Sequence, residues 1–484
     1  TCCLDHVRRR LGEEVRPFQA QASTCTIFRI PLVLRDINHQ FEQPEIVSIG
    51  PLHRGQKHLC EFEEHKWFFL KIFLRRTDSD KESLIKLVAD QESSARGCYS
   101  EDEVVGMSSS EFVEMMLLDG CFVVEFMLHI FRSGHAIDVE DPILTRPLII
   151  RTLIRDLLKL ENQVPYSLLK SLFDFSRSTR VEAKTPFLCM LALRVFNQAY
   201  PRPMAIQDEY TDLRYRHYDE IKSRPYKHLL DLFNFTLFPR KPVHHGSEQM
   251  CRPSDQSIPC ATQLRSSRIK FKSKKTESSL GIIFRKGVPE TNPVHCDRKQ
   301  KYRPSDQSIP CVTQLRPSGI KFKSKKTESF LDISFPKRVL EIPPIAIDDF
   351  MTTVLINCIA LEKCQENSSK HITDYVSFMH CLIKQSKDVS LLCSDGIIST
   401  LSRHDQYVVN LFEKLGKSID FNVCDCYLSK QFEELESYYY SNWASMIRTY
   451  FSSPWSVISV FSAFLIIALT ITQTVYAVLG QHSR

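Results

Sequence analysis

The chain has 484 residues, 43% hydrophobic and 25% charged, a balance that excludes intrinsic disorder and supplies enough chain for two to four domain-sized units. Its 14 glycines disfavour collagen-like sequence, glycine-turn-rich β architectures and folds built around glycine phosphate loops. The net charge of +6 is concentrated: residues 251–340 hold 20 Lys or Arg against 7 Asp or Glu, so the remainder is net acidic, and a solvated lysine face accounts for the excess without a nucleic-acid partner.

Residues 1–24 read as an N-terminal extension with no apolar stretch of a secretory leader. Thr26–Ile30, running into Pro31, and Glu45–Ile49, running into Gly50 and Pro51, have the composition of short strands. Gly50 and Gly55 are spaced as in a phosphate loop. Gln56 intervenes before Lys57, however, no Ser or Thr follows, and Pro51 removes an amide, so turn chemistry explains the glycines. His53, His58 and His65 lie close to Glu61, Glu63 and Glu64 but lack the pairing of two His at i, i+4 beside a Glu. Glu61–Leu74 reads instead as an amphipathic helix partly burying Phe62, Trp67, Phe69, Leu70 and Phe73, with Glu63 and Lys66 paired at i, i+3.

Glu111–Phe131 is very apolar, yet it contains Glu114, Asp119 and Glu125. Each would cost about 2.5–3.5 kcal/mol at a bilayer centre, which predicts a globular core helix. Ile150, Leu153, Leu157 and Leu160 mark one face of a helix that stops before Pro165 and resumes through Leu168, Leu169, Leu172 and Phe173. The polar run Glu161, Asn162 and Gln163 between them is expected to satisfy helix-end amides and carbonyls. Leu229, Leu230, Leu232 and Phe233 continue the helical pattern. Asn234 and Asn367 head N-glycosylation sequons, a number that chance supplies in a chain of this length.

A tandem duplication follows. Arg252–Phe284 and Arg303–Phe335 align without gaps at an offset of 51, identical at 27 of 33 positions. Each copy alternates apolar and basic residues, as in Ile320 and Phe322 against Lys321 and Lys323, and then spaces Leu331, Ile333 and Phe335 at period two. That predicts a small β-hairpin with one buried face. Two copies fall short of a solenoid, so one hairpin plus an inserted duplicate is expected. Asp349–Cys364, His371–Lys384 and Asp405–Leu415 read as further helices.

At the far end no Asp, Glu, Lys or Arg occurs between Arg448 and Arg484, and 18 of the 25 residues Trp455–Leu479 are apolar. That predicts one transmembrane helix, long enough to tilt, with Trp455 and Tyr476 near its two ends and Pro454 in its first turn. Four residues follow Gly480, so insertion as a tail anchor with a cytosolic body is expected; the alternative places the body outside the cell. Seventeen cysteines form no CxxC pair and no zinc spacing, which predicts reduced, mostly buried thiols.

The expected architecture is therefore mainly α: a multi-helix globular body with small β-hairpin elements and one C-terminal transmembrane helix. Its parts are the extension 1–24, a first body segment 25–249, the duplicated basic segment 250–302, the second hairpin copy with the rest of the body 303–450, and the anchor 454–480. No catalytic, cofactor-binding or metal-binding residue is identified, since no nucleophile, base and orienter can be grouped from the sequence.

With these segments read, the chain resembles the plant-specific domain-of-unknown-function 247 family. The blocks that carry the likeness are Ile27-Phe-Arg-Ile-Pro31, Val47-Ser-Ile-Gly-Pro51 with His53 and Gly55, Glu64-His-Lys-Trp67, Met116-Leu-Leu-Asp-Gly-Cys-Phe122, Asp156-Leu-Leu-Lys-Leu-Glu-Asn-Gln-Val-Pro165 and His228-Leu-Leu-Asp231. Later ones are Thr-Gln-Leu-Arg with Ile-Lys-Phe in both copies, Leu340-Glu-Ile-Pro-Pro344, and Pro454-Trp455. The likeness covers about residues 25–480. It implies a membrane-anchored plant protein, some members being linked to self-recognition in pollination and others to growth or stress, with no established enzyme activity and no site to carry over. The family pattern has one hairpin segment, and copy two, which runs into Leu340–Pro344, is the family-like one. Copy two carries Pro336-Lys-Arg338 where a glycine turn is expected, while copy one keeps Gly287. The leading expectation is a protein-interaction or signalling component at the plasma membrane or an endomembrane, with a protein partner; an enzyme with an unrecognised site is the alternative.

Overall fold

A computed structural model describes residues 25–35, 37, 41–100, 104, 106–132, 146–177, 187–200, 218–238, 309–327, 329–365, 369–400, 404–450 and 454–482. The chain divides into two units, residues 1–240 with 307–484, and residues 241–306; every described residue belongs to the first. Copy one of the duplication lies outside the described residues.

The first half is organised by helix Ser109–Arg132, on which helices Cys60–Thr77, Lys81–Ala89, Tyr166–Ser176 and Leu188–Ala199 all pack. From Met115 to Leu128 every residue of it is buried, so this stretch is covered all round. Phe122 meets Phe62 and Phe69 edge-on, each with ring centroids 5.1 Å apart. Gly120 permits the close approach of Tyr166–Ser176, because a Cβ there would lie 2.3 Å from Leu172 Cδ1. The three carboxylates that barred this segment from a membrane each have a cation. Asp119 meets Lys66 at 2.6 Å, Glu125 takes the Arg76 guanidinium at 2.5 Å, and Glu114 lies 3.5 Å from Arg54.

Helix Cys60–Thr77 buries Phe62, Phe69, Leu70 and Phe73, but Trp67 is 41% exposed and Lys66 is buried in its place. The helix expected over Ile150–Leu160 ends earlier, as Pro147–Asp156, and Leu157–Leu160 form a buried turn.

In the second half, helix Asp349–Cys364 starts where the sequence predicts, because the Asp348 carboxylate accepts the Met351 amide at 2.8 Å. Helices His371–Leu382, Ser386–Ser394 and Asp405–Lys417 surround it or one another. Among the described residues four short strands form two sheets of two strands each, both parallel: β1 (Lys321–Ser324) with β2 (Val339–Ile342), and β3 (Ile345–Ile347) with β4 (Ile398–Thr400).

This corrects the hairpin expectation. The inward and outward faces are as read, with Phe322 buried between exposed Lys321 and Lys323, but β1 does not fold back on the 331–335 arm. Phe322 pairs in parallel with Leu340 of β2, while Ser334 bridges Glu341 from the other side in antiparallel sense through bonds of 3.0 and 2.8 Å. β2 is thus the middle member, and it lies beyond the repeat. The antiparallel arm closes through a turn in which the Val339 amide donates to the Pro336 carbonyl at 2.9 Å, and Lys337 and Arg338 hold φ of 47° and 68°. Two successive left-handed residues are the geometry of the tight hairpin turn that usually takes glycine or asparagine. Arg338 occupies the position of Gly287 in copy one.

The strands expected at Thr26–Ile30 and Glu45–Ile49 do not form: the chain bends at Ile27, Glu45 and Ile46, and neither segment belongs to a β-ladder. The halves are tied by Asn357, whose Oδ1 accepts the Leu160 amide at 2.8 Å while its Nδ2 donates to the Phe41 carbonyl at 3.1 Å.

Helices Ser429–Tyr439, Asn442–Tyr450 and Pro454–His482 end the chain. The expected span Trp455–Leu479 falls within the last of these, whose side chains are described at 458, 459 and 461–476. Among the described residues no helix is long and apolar enough to cross a membrane.

Candidate functional site

The densest polar grouping lies beneath the segment 43–50, which bends at 43, 45, 46 and 50, and most of its members come from the block Asp156–Gln163. Asp156 ends helix Pro147–Asp156 and is fully buried. Its carboxylate accepts the backbone amides of Glu45 at 3.0 Å, Ile46 at 2.8 Å and Val47 at 3.2 Å, and Lys159 Nζ lies 3.1 Å away. Lys159 in turn donates to the Gln43 carbonyl. One residue pair therefore holds four consecutive peptide units, because the carboxylate takes the amides and the ammonium neutralises what remains.

Asn162 continues the same surface. Its Oδ1 accepts the Ile49 amide at 2.6 Å, and its Nδ2 donates to the Val47 carbonyl at 3.0 Å and to the Asp156 carbonyl at 3.0 Å. A side-chain amide presents an acceptor oxygen beside an NH2 group with two donors, so Asn162 answers the Val47 carbonyl and the Ile49 amide as a neighbouring backbone would and still reaches the Asp156 carbonyl. Gly50 follows. Its amide donates to Asp119 Oδ2 at 2.7 Å, its φ is +80°, and a Cβ there would sit 2.5 Å from the Gln163 carbonyl oxygen, so glycine alone fits without displacement. Lys66 Nζ closes this end by donating to the Ser48 carbonyl at 2.5 Å, Asp119 at 2.6 Å and Glu63 at 2.6 Å. Burial pushes the Asp119 carboxyl up and the Lys66 charge pulls it back only in part.

Glu161 and Gln163 point to other elements. Glu161 Oε1 accepts the Ile30 amide at 2.6 Å and Arg35 Nη2 at 2.9 Å, and Oε2 lies 3.3 Å from His53 Nε2. Burial alone raises the Glu161 carboxyl, but the His53 ring, the Ile30 amide and Arg35 outweigh it and leave the group below the usual carboxylate range. Gln163 Nε2 donates to the carbonyls of Leu157 at 2.7 Å and Lys159 at 2.8 Å, and its Oε1 accepts the Leu230 amide at 3.2 Å, at the start of helix Leu229–Leu237. Gln163 caps helix ends as its sequence position predicts, whereas Glu161 and Asn162 mostly serve the non-helical segments at Ile30 and 47–49.

The three histidines singled out from the sequence do not meet. His53 bonds Gln56 at 2.9 Å, His58 lies 3.1 Å from the Pro44 carbonyl, and His65 packs among Phe62, Phe68 and Phe69. Among the described residues no group of three His, Cys, Asp or Glu could hold a metal ion. Burial drives the thiols of Cys121 and Cys358 well above their ordinary range, where little thiolate forms. What the cluster does chemically is bind backbone: the Asp156 carboxylate and Asn162 amide already bond peptide groups of this chain. Asn234, head of one sequon, is 3% exposed inside helix Leu229–Leu237 and is closed to a glycan in the folded chain; Asn367 lies outside the described residues.

Sequence reading missed Asp156, Lys159, Lys66 and Asp119 as one assembly. A visible signal was Asp156 and Lys159 at i, i+3 with leucines on either side, a charge pair in a run otherwise destined for the core.

A second buried carboxylate organises the other half. Glu362 accepts the amides of Ile372 at 3.0 Å and Thr373 at 2.8 Å and the Thr373 hydroxyl at 2.6 Å, so it caps helix His371–Leu382 from a neighbouring helix. Burial raises it to about 7 despite those bonds. His228, at the start of helix Leu229–Leu237, accepts the Asp231 amide at 3.2 Å and is pushed down to about 4 by burial.

A family model described as a plant protein of unknown function, DUF247, matches residues 27–303 and 288–469, two stretches that overlap at the junction of the two repeat copies. A UPF0481 protein of Arabidopsis thaliana is 30% identical over 473 residues, covering 95% of this chain and 88% of the relative. A putative UPF0481 protein of the same plant is 21% identical over 522 residues, covering 99% and 95%. No solved structure matches.

Proposed function

The chain belongs to the DUF247 family of plant proteins of unknown function, and from that premise we propose that it is a membrane-anchored interaction component rather than an enzyme. The observation that carries the anchoring is helix Pro454–His482. On its described part Phe461, Phe464, Ile466, Ile467 and Ile471 are exposed; the described residues alone fall short of a span, but they sit within the stretch 449–483, which holds no Asp, Glu, Lys or Arg. Such a surface in water is an aggregation hazard, and lipid removes the hazard.

The interaction role is supported by the way the buried polar groups are spent on fixing backbone, which yields a stiff body suited to presenting a surface. The body faces the cytosol in this reading, supported by the described cysteines being free thiols. Residues 250–302 are then an insertion that duplicates a segment the body already has.

Fractionation tests the anchor. The full chain stays in the membrane pellet after carbonate washing, and the chain lacking residues 454–484 is released. A truncated chain that remains in the pellet overturns the single-span reading.

A further inference from the structure

Helix Asn442–Tyr450 has two unlike faces. Ala444 is buried, Ile447 packs on the backbone at Gly319, and Arg448 Nη1 donates to Ser318 Oγ at 2.9 Å and to the Tyr439 carbonyl at 2.7 Å, so this side holds the helix to the body. The other side carries Trp443, Met446 and Tyr450 at i, i+3 and i+7, which are 50%, 36% and 53% exposed. A stripe of large apolar and aromatic side chains on a nine-residue helix is normally turned inward. Here it is turned out.

Two further features say what covers it. The turn at Pro336–Val339 carries two exposed cations, Lys337 and Arg338, and places the Arg338 guanidinium 5.5 Å from the Trp443 ring centre and 5.4 Å from that of Tyr438. The acidic side chains nearby, Glu433, Glu434 and Glu436, belong to the preceding helix and not to this stripe. The second feature is chain length. Three residues separate Tyr450 from Pro454, so the stripe starts within about 14 Å of the first residue of helix Pro454–His482 even if they are fully extended.

We propose that the Trp443, Met446 and Tyr450 face, rimmed by Lys337 and Arg338, lies in the headgroup layer of an anionic bilayer and sets the body down on the membrane. Tryptophan and tyrosine favour that layer, where an apolar ring and a polar edge are both satisfied. Lysine and arginine beside it meet lipid phosphate and serine headgroups. A short interfacial helix next to a span is a stable arrangement because the span removes the cost of bringing the helix to the surface. The strained turn acquires a purpose in this account: the second repeat copy carries Arg at a left-handed position, where glycine fits better, and that Arg reaches the stripe.

This inference rests on the anchor reading, and single-tryptophan proteins separate the two. The chain has three tryptophans. The full chain with Trp67→Phe and Trp455→Phe leaves Trp443 as reporter; Trp67→Phe with Trp443→Phe leaves Trp455. Each is reconstituted into phosphatidylcholine nanodiscs with and without phosphatidylserine. Trp443 emission is expected to shift to the blue and to be quenched more by a lipid spin-labelled near the headgroup than by one labelled at the chain end, with the larger effect in phosphatidylserine. Adding Lys337→Glu and Arg338→Glu, on an exposed turn, should weaken surface docking by about thirtyfold while the chain stays in the disc.

Trp443 that is open to aqueous acrylamide and untouched by labelled lipid overturns the proposal. Trp443 shielded from acrylamide but untouched by labelled lipid also overturns it, and assigns the stripe to a protein partner. Loss of the chain from the discs, with Trp455 unquenched, overturns the anchor reading alone, and Trp443 quenching on phosphatidylserine vesicles then still decides the stripe.

Discussion

The strands of the second half and the buried non-helical segment 43–50 of the first solve one problem by different means. In the second half, β1 and β2, and β3 and β4, satisfy their amides and carbonyls by pairing with each other. In the first half Glu45, Ile46 and Val47 donate to one carboxylate, and Ile49 and Val47 bond one side-chain amide. A backbone ladder depends on no particular side chain and tolerates substitution on its exposed positions. A side-chain cradle concentrates the same work in two or three residues, so its cost of failure is concentrated too.

The largest effect that tests this contrast is expected from Asp156→Ala. It removes the acceptor for three amides and leaves the Lys159 charge buried without its partner, which should cost about 3–5 kcal/mol and show as a lowered urea midpoint at unchanged slope. A loss under about 1 kcal/mol would mean that water replaces the carboxylate and that no cradle exists.

The two halves should also respond oppositely to acid. His228 is held near 4, below its unfolded value of 6.5, so the unfolded chain binds the extra proton between them and stability rises with pH over about 4 to 6.5. Glu362 is held near 7, above its unfolded value of 4.5, so the folded chain binds the extra proton and stability falls as pH rises from about 4.5 to 7. Each contributes on the order of 3 kcal/mol across its window, and where the windows overlap they oppose. His228→Asn, which retains a capping acceptor, should therefore expose the falling limb, and Glu362→Gln the rising one. Parallel pH profiles for the two variants contradict the assignment.

Smaller effects should come from the ladder region. Lys337→Gly relieves a left-handed φ of 47° and should raise stability by less than about 1 kcal/mol, because the freer unfolded chain offsets part of the gain. Lys323→Thr, on the exposed face of β1, leaves every backbone bond of the ladder in place and should stay within about 0.5 kcal/mol of the parent in the same melt. A change as large as that from Asp156→Ala would erase the distinction between the halves.

The helices were legible because burial imposes a 3.6-residue period, and the start at Asp349 was legible because an aspartate capped it. The membership of Glu45–Ile49 was not. Its composition reports burial, which a strand and a cradled segment share, while its partner is a side chain 109 to 111 residues away. In the repeat, alternation identified the faces of β1 but not its neighbour, since period two is the same in parallel and antiparallel pairs. The place of the closing turn followed from the family resemblance, whereas its left-handed geometry was masked because Lys337 and Arg338 fill positions whose usual signature is glycine or asparagine. Lys66 and Lys159 escaped notice as core residues because lysine is seldom buried without a carboxylate, and each carboxylate here arrives from the fold or from a helix turn away.

The bonds of Asn357 set a clock on synthesis. Phe41 and Leu160 leave the ribosome long before Asn357 does, and 197 residues separate Leu160 from it, which at about 5–20 residues per second is roughly 10–40 s of translation. For that interval the first half has its hub helix and its cradle but lacks the amide that seals two buried backbone groups, and a contact so distant along the chain is late to form in any case. Each residue inserted between Leu160 and Asn357 lengthens the wait, and the 51-residue repeat offset adds about 3–10 s. For that time the Leu160 amide and the Phe41 carbonyl wait for their partner, and a shorter form lacking one copy would shorten the wait.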